Sequence, residues 1–160
     1  MNISKTFVGL AGEYLVLSRL TSKGLLASLA PRNNESVDIF TSNPKTAKSH
    51  LIQVKTRLNG PKESGWHVSP EDRNASDSKL FYCFVDLQSK PERVYVIPSR
   101  VVSSVLQEAH KSQMKKPMRD GSKRTSHNYA KLKNNYRVKV KAAPNGWMDK
   151  YLEKWDLITK

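Results

Sequence analysis

Gln53 and Lys55 stand two residues apart in the segment SHLIQVKTR, residues 49–57, which is predicted to be a β-strand. Side chains of a strand alternate between its faces, so both residues point to the side opposite Ile52 and Val54. An amide oxygen can bind a hard metal ion, and an ammonium group can neutralise an anion. The pattern therefore predicts that one face of this strand is a polar site rather than part of the core.

Asp38 is the first carboxylate placed to join this pair. It lies between Val37 and Ile39 in the short segment VDIF, which is predicted to be the preceding strand. If these two apolar residues pack inward, Asp38 points to the opposite face. A hairpin would then bring it near Gln53 and Lys55. An alternative stays open, because Asp38 and Lys55 would also meet as a structural cross-strand ion pair without any metal.

Glu13 is the second carboxylate, and it lies in a helix predicted over residues 5–23. The apolar stripe of this helix is predicted to contain Phe7, Leu10, Ala11, Tyr14 and Leu17. Glu13 lies on the flank of the stripe, roughly 100° from its centre, where it could reach over the edge of the sheet. Gly9 and Gly12 inside the helix each cost about 1 kcal/mol relative to alanine, which suggests close approach of another backbone.

These polar residues have the chemistry that metal-dependent hydrolysis of a phosphodiester requires. The phosphate is already anionic, so an attacking hydroxide needs charge neutralisation and a lowered water pKa, which Mg²⁺ supplies. Asp38, Gln53 and the carbonyl of Val54 offer three oxygen ligands to such an ion. Glu13 could hold a metal-bound water, and Lys55 could orient the nucleophile or stabilise the transition state.

A glutamate on a helix, then an aspartate, then (Glu/Gln)-x-Lys on successive strands resembles the PD-(D/E)xK nuclease superfamily, here in GLAGEYLVLSRL, VDIF and IQVKT. The resemblance covers about residues 5–105 and implies a restriction-endonuclease-like αβββαβ core, with a mixed central sheet flanked by helices. It implies a DNA endonuclease that uses Mg²⁺, with Mn²⁺ able to replace it. Asp38 and Gln53 would be metal ligands, Lys55 the catalytic lysine and Glu13 the helix carboxylate.

The sequence departs from the motif at two positions, and one of them changes the charge of the predicted site. Val37 stands before the aspartate where the motif has proline, which many members of the superfamily tolerate. Gln53 stands where an acid is commoner, so the metal site lacks one negative charge. Some active branches of the superfamily also use glutamine there, and the second carboxylate would then be Glu13.

Apolar patterning predicts one mixed sheet to position these residues, and hence an α/β or α+β fold, of which the resemblance favours α/β. Its strands are predicted at 25–30, 37–40, 51–56, 79–87 and 93–98. The run KLFYCFVDL at 79–87 is almost unbroken, which is typical of a strand buried on both faces. Cys83 in this run is expected to be a small buried hydrophobe rather than a nucleophile.

Two further helices are predicted, and the 160 residues are expected to form one domain. Ser99 is predicted to cap a helix that reaches about residue 112, with Val101, Val102, Val105, Leu106 and Ala109 on its inner face. A C-terminal helix is predicted at about 145–157, with Trp147, Tyr151 and Trp155 four apart. The domain then comprises a nuclease-like core at about 5–110, a basic extension at 110–141 and this last helix.

The charge of the chain indicates a polyanionic partner, and nucleic acid is the commonest. The net charge is +14, from 28 Lys and Arg against 14 Asp and Glu. Residues 110–141 contain eleven basic residues and one acid, a net charge of +10. DNA contacts are predicted at Lys115, Lys116, Arg119, Lys123, Arg124, Lys131 and Lys133. The alternative for this segment is a solvated charged loop.

Several other functions lack a signal in the sequence. No signal peptide, transmembrane run, P-loop or GxGxxG is present, and one cysteine excludes an internal disulfide. We therefore expect a soluble protein of a reducing compartment such as the cytoplasm, without membrane contact or small-molecule cofactor. A homodimer or higher homo-oligomer is expected, because one active site handles one strand. A non-catalytic nucleic-acid-binding protein and a ribosome-associated protein remain the alternatives.

Overall fold

The central sheet contains five of the seven strands in the described part of the chain. A computed structural model describes residues 3–31, 36–58, 65–115, 117, 122 and 130–160. The strands are β1 (Leu26–Leu29), β2 (Ile39–Ser42), β3 (Ser49–Arg57), β4 (Trp66–Val68), β5 (Leu80–Asp86), β6 (Arg93–Pro98) and β7 (Ala130–Leu132). The helices are α1 (Lys5–Ser22), α2 (Pro70–Asn74), α3 (Ser99–Met114) and α4 (Asp156–Thr159), with a 3₁₀ helix at Asp149–Tyr151.

Strand β3 is the centre of the sheet, whose order is β1-β2-β3-β5-β6. β3 pairs antiparallel with β2, with Ile39 opposite Ile52, which confirms the predicted hairpin. On its other edge β3 pairs parallel with β5, and every other pair in this sheet is antiparallel. A parallel neighbour requires a crossover connection, and the short helix α2 lies within it. β4 and β7 form a separate two-stranded sheet.

Strand β5 is buried along its whole length, as the unbroken apolar run predicts. One face of the sheet packs against α1, where Ile52, Val54 and Val85 meet Val16 and Leu20 of the helix. The opposite face packs against α3, β4 and β7. Cys83 is fully buried in the first of these cores, and that burial raises the pKa of its thiol far above the ordinary range. The thiol is therefore a core group, as predicted.

The predicted apolar stripe of α1 is wrong, although the helix itself is present. Phe7 and Tyr14 are 66% and 56% exposed, whereas Gly12, Val16 and Leu20 form the buried face. The close approach that interior glycine suggests does occur at Gly12, against the side chain of Thr56. The helix turns this glycine toward β3, so the larger apolar residues on the other side point outward.

Helix α3 follows the prediction except at its first residues. Val102, Val105, Leu106 and Ala109 are buried, while Val101 is only partly buried. The N-cap is Pro98, which makes no side-chain capping bond. Ser99 is instead the first helical residue, and its hydroxyl donates to the carbonyl of Asp77 at 2.6 Å. The serine hydroxyl therefore binds the loop between α2 and β5 rather than capping α3.

The predicted C-terminal helix is wrong as well. Residues 145–155 form turns and the short 3₁₀ helix, because Gly146 and Glu153 adopt φ of 75° and 50°, which a continuous helix excludes. The N–H of Glu153 donates to Val94 at 2.8 Å, and its carboxylate accepts from the N–H of Val94 at 3.1 Å. Trp147 and Trp155 are both buried, but in different cores. The segment therefore covers the outer edge of β6.

The architecture is an α/β fold with a mixed five-stranded sheet flanked by helices, as predicted. The order of its first elements is α1-β1-β2-β3, followed by β4 and α2, then β5, β6 and α3. None of the helices in the described part of the chain has the length and apolarity to cross a membrane.

The contact between Gly12 and Thr56 generates the first prediction. A Cβ atom at Gly12 would lie 1.8 Å from Thr56 Oγ1, and the side chain of Thr56 has little rotamer freedom. We expect Gly12→Ala to lower the free energy of unfolding by about 1–3 kcal/mol, as overpacking of a core does. Urea denaturation measures the change.

Gly9→Ala in the same helix is the matched control, because a Cβ at Gly9 meets nothing within 4 Å. There alanine should stabilise the helix by about 0.5–1 kcal/mol. If Gly12→Ala were as stable as Gly9→Ala, α1 would not pack against β3 at this distance.

Candidate active site

Asp38 is fixed at the point where the pairing of β2 with β3 ends. Its N–H donates to the carbonyl of Ile52 at 2.9 Å, and its carboxylate Oδ2 accepts from the N–H of Val54 at 2.6 Å. The last register pair of the two strands is Ile39 with Ile52, so the side chain of Asp38 extends the pairing by one step. Val37 and Ile39 on either side are buried, as predicted. The carboxylate is thereby held beside β3.

The environment of Asp38 opposes its negative charge. Burial raises the pKa of the carboxyl above its ordinary value of 3.8. The hydrogen bond from Val54 and the positive charge of Lys55 lower this pKa in part, while the negative charge of Asp72 raises it further. Asp38 therefore lies within electrostatic reach of both Lys55 and Asp72, in surroundings that a cation would improve.

Gln53 is the most buried polar residue of β3, with 7% of its surface exposed. Its amide oxygen Oε1 is fully shielded and accepts no hydrogen bond in the part of the chain that is described. A buried acceptor without a partner costs free energy, so a water molecule or a ligand is expected to bind it. A hard cation is one ligand that an amide oxygen binds.

Lys55 forms an ion pair with Asp72, at 3.0 Å between Nζ and Oδ2. The two side chains are 21% and 8% exposed, so the pair is largely shielded from solvent. Its partner in the described residues is therefore Asp72 rather than Asp38. The alternative of a structural cross-strand pair between Asp38 and Lys55 is wrong.

Asp72 is the site residue that sequence reasoning missed. It lies in α2, where Ser69 and Asp72 form a reciprocal capping box. The hydroxyl of Tyr82 on β5 also donates to Asp72 Oδ1 at 2.8 Å. Burial, and then the charge of Asp72, raise the pKa of the Tyr82 phenol, so it keeps its proton and donates. The sequence signal was the spacing S-x-x-D at 69–72, which marks a helix start but not its neighbour.

Glu13 and the Val54 carbonyl stay predictions. Glu13 is partly buried on α1, and that helix covers the face of β3 that carries Ile52 and Val54. Its neighbour Gly12 touches Thr56, the residue after Lys55. Glu13 thus lies on the helix that packs on β3 from the face opposite Gln53 and Lys55.

The oxygens of Asp38 and Gln53 fit a hard divalent cation. Within the described residues, no group of three or more His, Cys, Asp or Glu is arranged to hold a metal ion. Magnesium sites commonly use only one or two carboxylates, with water and substrate phosphate completing the shell. The donor set therefore suits Mg²⁺ bound together with a phosphate better than a metal held by protein alone.

The predicted DNA contacts are described only in part. Lys115 is exposed at the end of α3, Lys131 is exposed on β7, and Lys133 follows that strand. Lys116, Arg119, Lys123 and Arg124 lie outside the described residues. Burial lowers the pKa of His67, which faces Lys131 across the β4–β7 pair, and the charges of Lys131 and Lys5 lower it further. Lys5 and Lys131, which are far apart in the sequence, therefore both lie near enough to His67 to lower its pKa.

Comparison with known proteins identifies a solved structure with a similar fold, but no matching family. No protein-family profile and no curated protein sequence matches the chain. A solved structure, that of the bacterial homing endonuclease I-Ssp6803I, is similar, with a TM-score of 0.55 and 17% sequence identity over 98% of this chain and 91% of that one. The chain shares the fold of a nuclease. At this identity the likeness concerns the fold alone.

The raised pKa of Asp38 generates the second prediction. A carboxyl whose pKa is higher in the folded state holds its proton more tightly there, so ionisation weakens the fold as the pH rises. We expect Asp38→Asn to raise the melting temperature at pH 7 by a few degrees at most, because solvent screens a half-buried charge. The gain should disappear as the pH falls toward 3.8.

The melting temperature in the presence of a divalent metal ion is the matching control for that variant. Mg²⁺ or Mn²⁺ should raise the melting temperature of the wild-type protein and leave that of Asp38→Asn unchanged. Differential scanning fluorimetry over pH and metal concentration measures both effects. A lower melting temperature for Asp38→Asn at pH 7 would contradict the assignment of Asp38 as a carboxylate held at a cost to stability.

Proposed function

We propose that the protein is a metal-dependent DNA endonuclease of the PD-(D/E)xK type, which hydrolyses phosphodiester bonds in duplex or branched DNA. One observation carries the proposal: the shielded, unpaired Oε1 of Gln53 lies on β3, the strand that carries Lys55 and whose Val54 N–H binds the carboxylate of Asp38. A hard cation beside Asp38 would give this oxygen a partner, which is the role that a metal-dependent phosphate-cleaving site would assign to it. The nuclease fold of the chain supports the same reading.

In this proposal Asp38 and Gln53 hold Mg²⁺, with Mn²⁺ able to replace it. The ion would neutralise the phosphate and lower the pKa of the attacking water. Lys55 presents a compact positive charge to the phosphate, where negative charge grows as the nucleophile attacks. Glu13 and the Val54 carbonyl are proposed as further oxygen donors, to a metal-bound water and to the ion.

The proposed partner is DNA, and the proposed assembly is a homodimer or higher homo-oligomer. The net charge of +14 supplies the attraction to phosphates, and its largest share falls in residues 110–141. Because one active site cuts one strand, two copies of the chain would cut a duplex. A reducing compartment such as the cytoplasm is proposed as the location, because Cys83 is a free thiol.

The third prediction tests catalysis directly. Wild-type protein with Mg²⁺ should nick supercoiled plasmid, and EDTA should stop it. Asp38→Ala and Lys55→Ala should each lower the rate by about 10²–10³, the usual cost of removing one group that stabilises developing charge. Both variants should still bind DNA. Agarose gels that follow nicked and linear products over time measure the rates.

Asp156→Ala and Lys48→Ala are the matched controls, because Lys48 is exposed, the side chain of Asp156 is 37% exposed, and neither contacts Asp38, Gln53 or Lys55 in the described residues. Their rates should equal that of the wild type. Nicking that survives in Asp38→Ala and Lys55→Ala would come from a contaminant or another site, and it would remove the assignment. Binding without cleavage of plasmid, cruciform or single-stranded DNA would favour a non-catalytic nucleic-acid-binding protein, which the missing acid at Gln53 would then explain.

The fourth prediction concerns the DNA surface. Lys115 and Lys131 are exposed, so their combined replacement by alanine should weaken DNA binding without altering the fold. The slope of log K against log salt should fall by about 2, roughly 1 for each lost phosphate contact. Fluorescence anisotropy at several salt concentrations measures the slope.

The double variant Lys23→Ala and Lys45→Ala removes the same charge from two other exposed positions. It should leave the slope nearly unchanged. Equal losses in the two double variants would mean that binding depends on the total charge of the chain rather than on the surface near α3 and β7.

A further inference from the structure

We propose that Asp72 is a positioning residue, which holds the ammonium group of Lys55 at the place where the scissile phosphate binds. This inference rests on the proposed function and deepens it, because it adds a residue that lies outside the D…QxK motif. The carrying observation is the 3.0 Å ion pair between Lys55 Nζ and Asp72 Oδ2.

Two hydrogen bonds hold the carboxylate of Asp72 in place, in addition to its ion pair with Lys55. The N–H of Ser69, just before α2, donates to Oδ2 at 2.6 Å. The hydroxyl of Tyr82 on β5 donates to Oδ1 at 2.8 Å. Both oxygens are thus bound from different directions, so the carboxylate cannot rotate without breaking a hydrogen bond.

Lys55 gains a fixed position from this carboxylate. A lysine side chain has four rotatable carbon–carbon bonds and loses much rotamer freedom when its tip is held. The pairing of β3 with β5, in which Lys55 lies opposite Phe84, fixes its backbone. Asp72 fixes the other end of the side chain, so the positive charge stands beside Gln53 and Asp38 before any phosphate arrives. Such preorganisation is what an electrostatic catalyst requires.

The alternative role for Asp72 is that of a metal ligand, which would replace the acid missing at Gln53. Its oxygens are already bound by Ser69, Lys55 and Tyr82. The unpaired oxygen in this region belongs to Gln53 instead. The geometry therefore favours a carboxylate that binds lysine over one that binds an ion.

Asp72→Asn is the variant that tests the proposal. Asparagine keeps the shape and a carbonyl oxygen for Ser69 or Tyr82, but it removes the charge that holds Lys55. Glu71→Gln is the matched control, since Glu71 is the adjacent, exposed acid, and its charge acts on Lys55 without forming an ion pair with it. It therefore separates the loss of a nearby negative charge from the loss of the contact that holds Lys55. Circular dichroism and melting curves confirm that both variants are folded.

Two measurements are expected to change in Asp72→Asn and not in Glu71→Gln. Acetylation of Lys55 by a small reagent at constant pH, followed by mass spectrometry, should become several times faster because the amine is no longer held. The single-turnover cleavage rate at saturating DNA should fall by about 10- to 100-fold, the usual cost of a misplaced catalytic group. The Kd for DNA should stay within about a factor of 2, because the loss concerns position rather than attraction.

A second variant covers the case in which Asp72→Asn does not fold. Tyr82→Phe removes one hydrogen bond from Asp72 and keeps the ion pair, so it should change both measurements in the same direction by a smaller factor. Unchanged acetylation and unchanged cleavage in the folded variants would overturn the proposal. A loss of Mn²⁺ affinity in Asp72→Asn, measured by calorimetry, would overturn it in favour of a metal ligand.

The two proposals fail in different ways. If the wild-type protein cuts no DNA substrate, the proposed function fails, and the acetylation rates alone decide whether Asp72 holds Lys55. If the wild-type protein cuts DNA and Asp72→Asn cuts at the same rate, only the role of Asp72 is refuted.

Discussion

The pairing of β3 on both of its edges is the constraint on which the rest of the structure depends. Because β2 and β5 bind it from either side, β3 can neither twist out of the sheet nor shift its register. A slip by one residue would move Ile52 and Val54 out of the core under α1 and put Gln53 and Lys55 in their place. The same ladder of hydrogen bonds therefore secures the core on one face and the polar groups on the other. The pairing that forms the sheet therefore also places Gln53 and Lys55 in the candidate site.

The polar face of β3 is not the arrangement that stability alone would favour. Burial raises the pKa of Asp38, and the buried oxygen of Gln53 has no hydrogen-bond partner in the described residues. An apolar residue at position 53 would cost the fold less. The ion pair of Lys55 with Asp72 differs, because each of its charges has a partner. Polar groups at a cost to stability, here Asp38 and Gln53, next to a complete ion pair are typical of a ligand-binding site. Residues that serve function commonly lower the stability of the fold.

The sequence predicted the bounds of the long strands and helices better than it predicted which side chains they bury, for a physical reason. Burial on both faces and strict alternation leave strong local signals, so β3, β5 and β6 were found within a residue or two of their observed bounds. In α1 the contact of Gly12 with Thr56 decides which face is buried, and such a contact exists only after folding. The predicted C-terminal helix is wrong for the same reason, because Trp147 and Trp155 pack in separate cores that exist only in the folded chain. For the site, Asp38 and Gln53 were named from their spacing. Asp72 was missed because its meeting with Lys55 depends on the crossover between β3 and β5.

Under the proposed function, the charge of the site explains how glutamine can stand where the PD-(D/E)xK motif more commonly has an acid. Without a partner, the positive charge of Lys55 would offset the negative charge of Asp38, and a divalent cation would meet little net attraction. Asp72 binds Lys55 at 3.0 Å and offsets part of its positive charge, so more of the negative charge of Asp38 remains available to a cation. The lysine still presents its N–H groups to a phosphate, because an ion pair uses only part of its donor capacity. An acid at position 53 would add a third carboxylate to a group in which Asp72 already raises the pKa of Asp38. Under the proposed function, Gln53 therefore supplies a ligand oxygen without further charge repulsion, and Asp72 supplies the negative charge that the motif lacks.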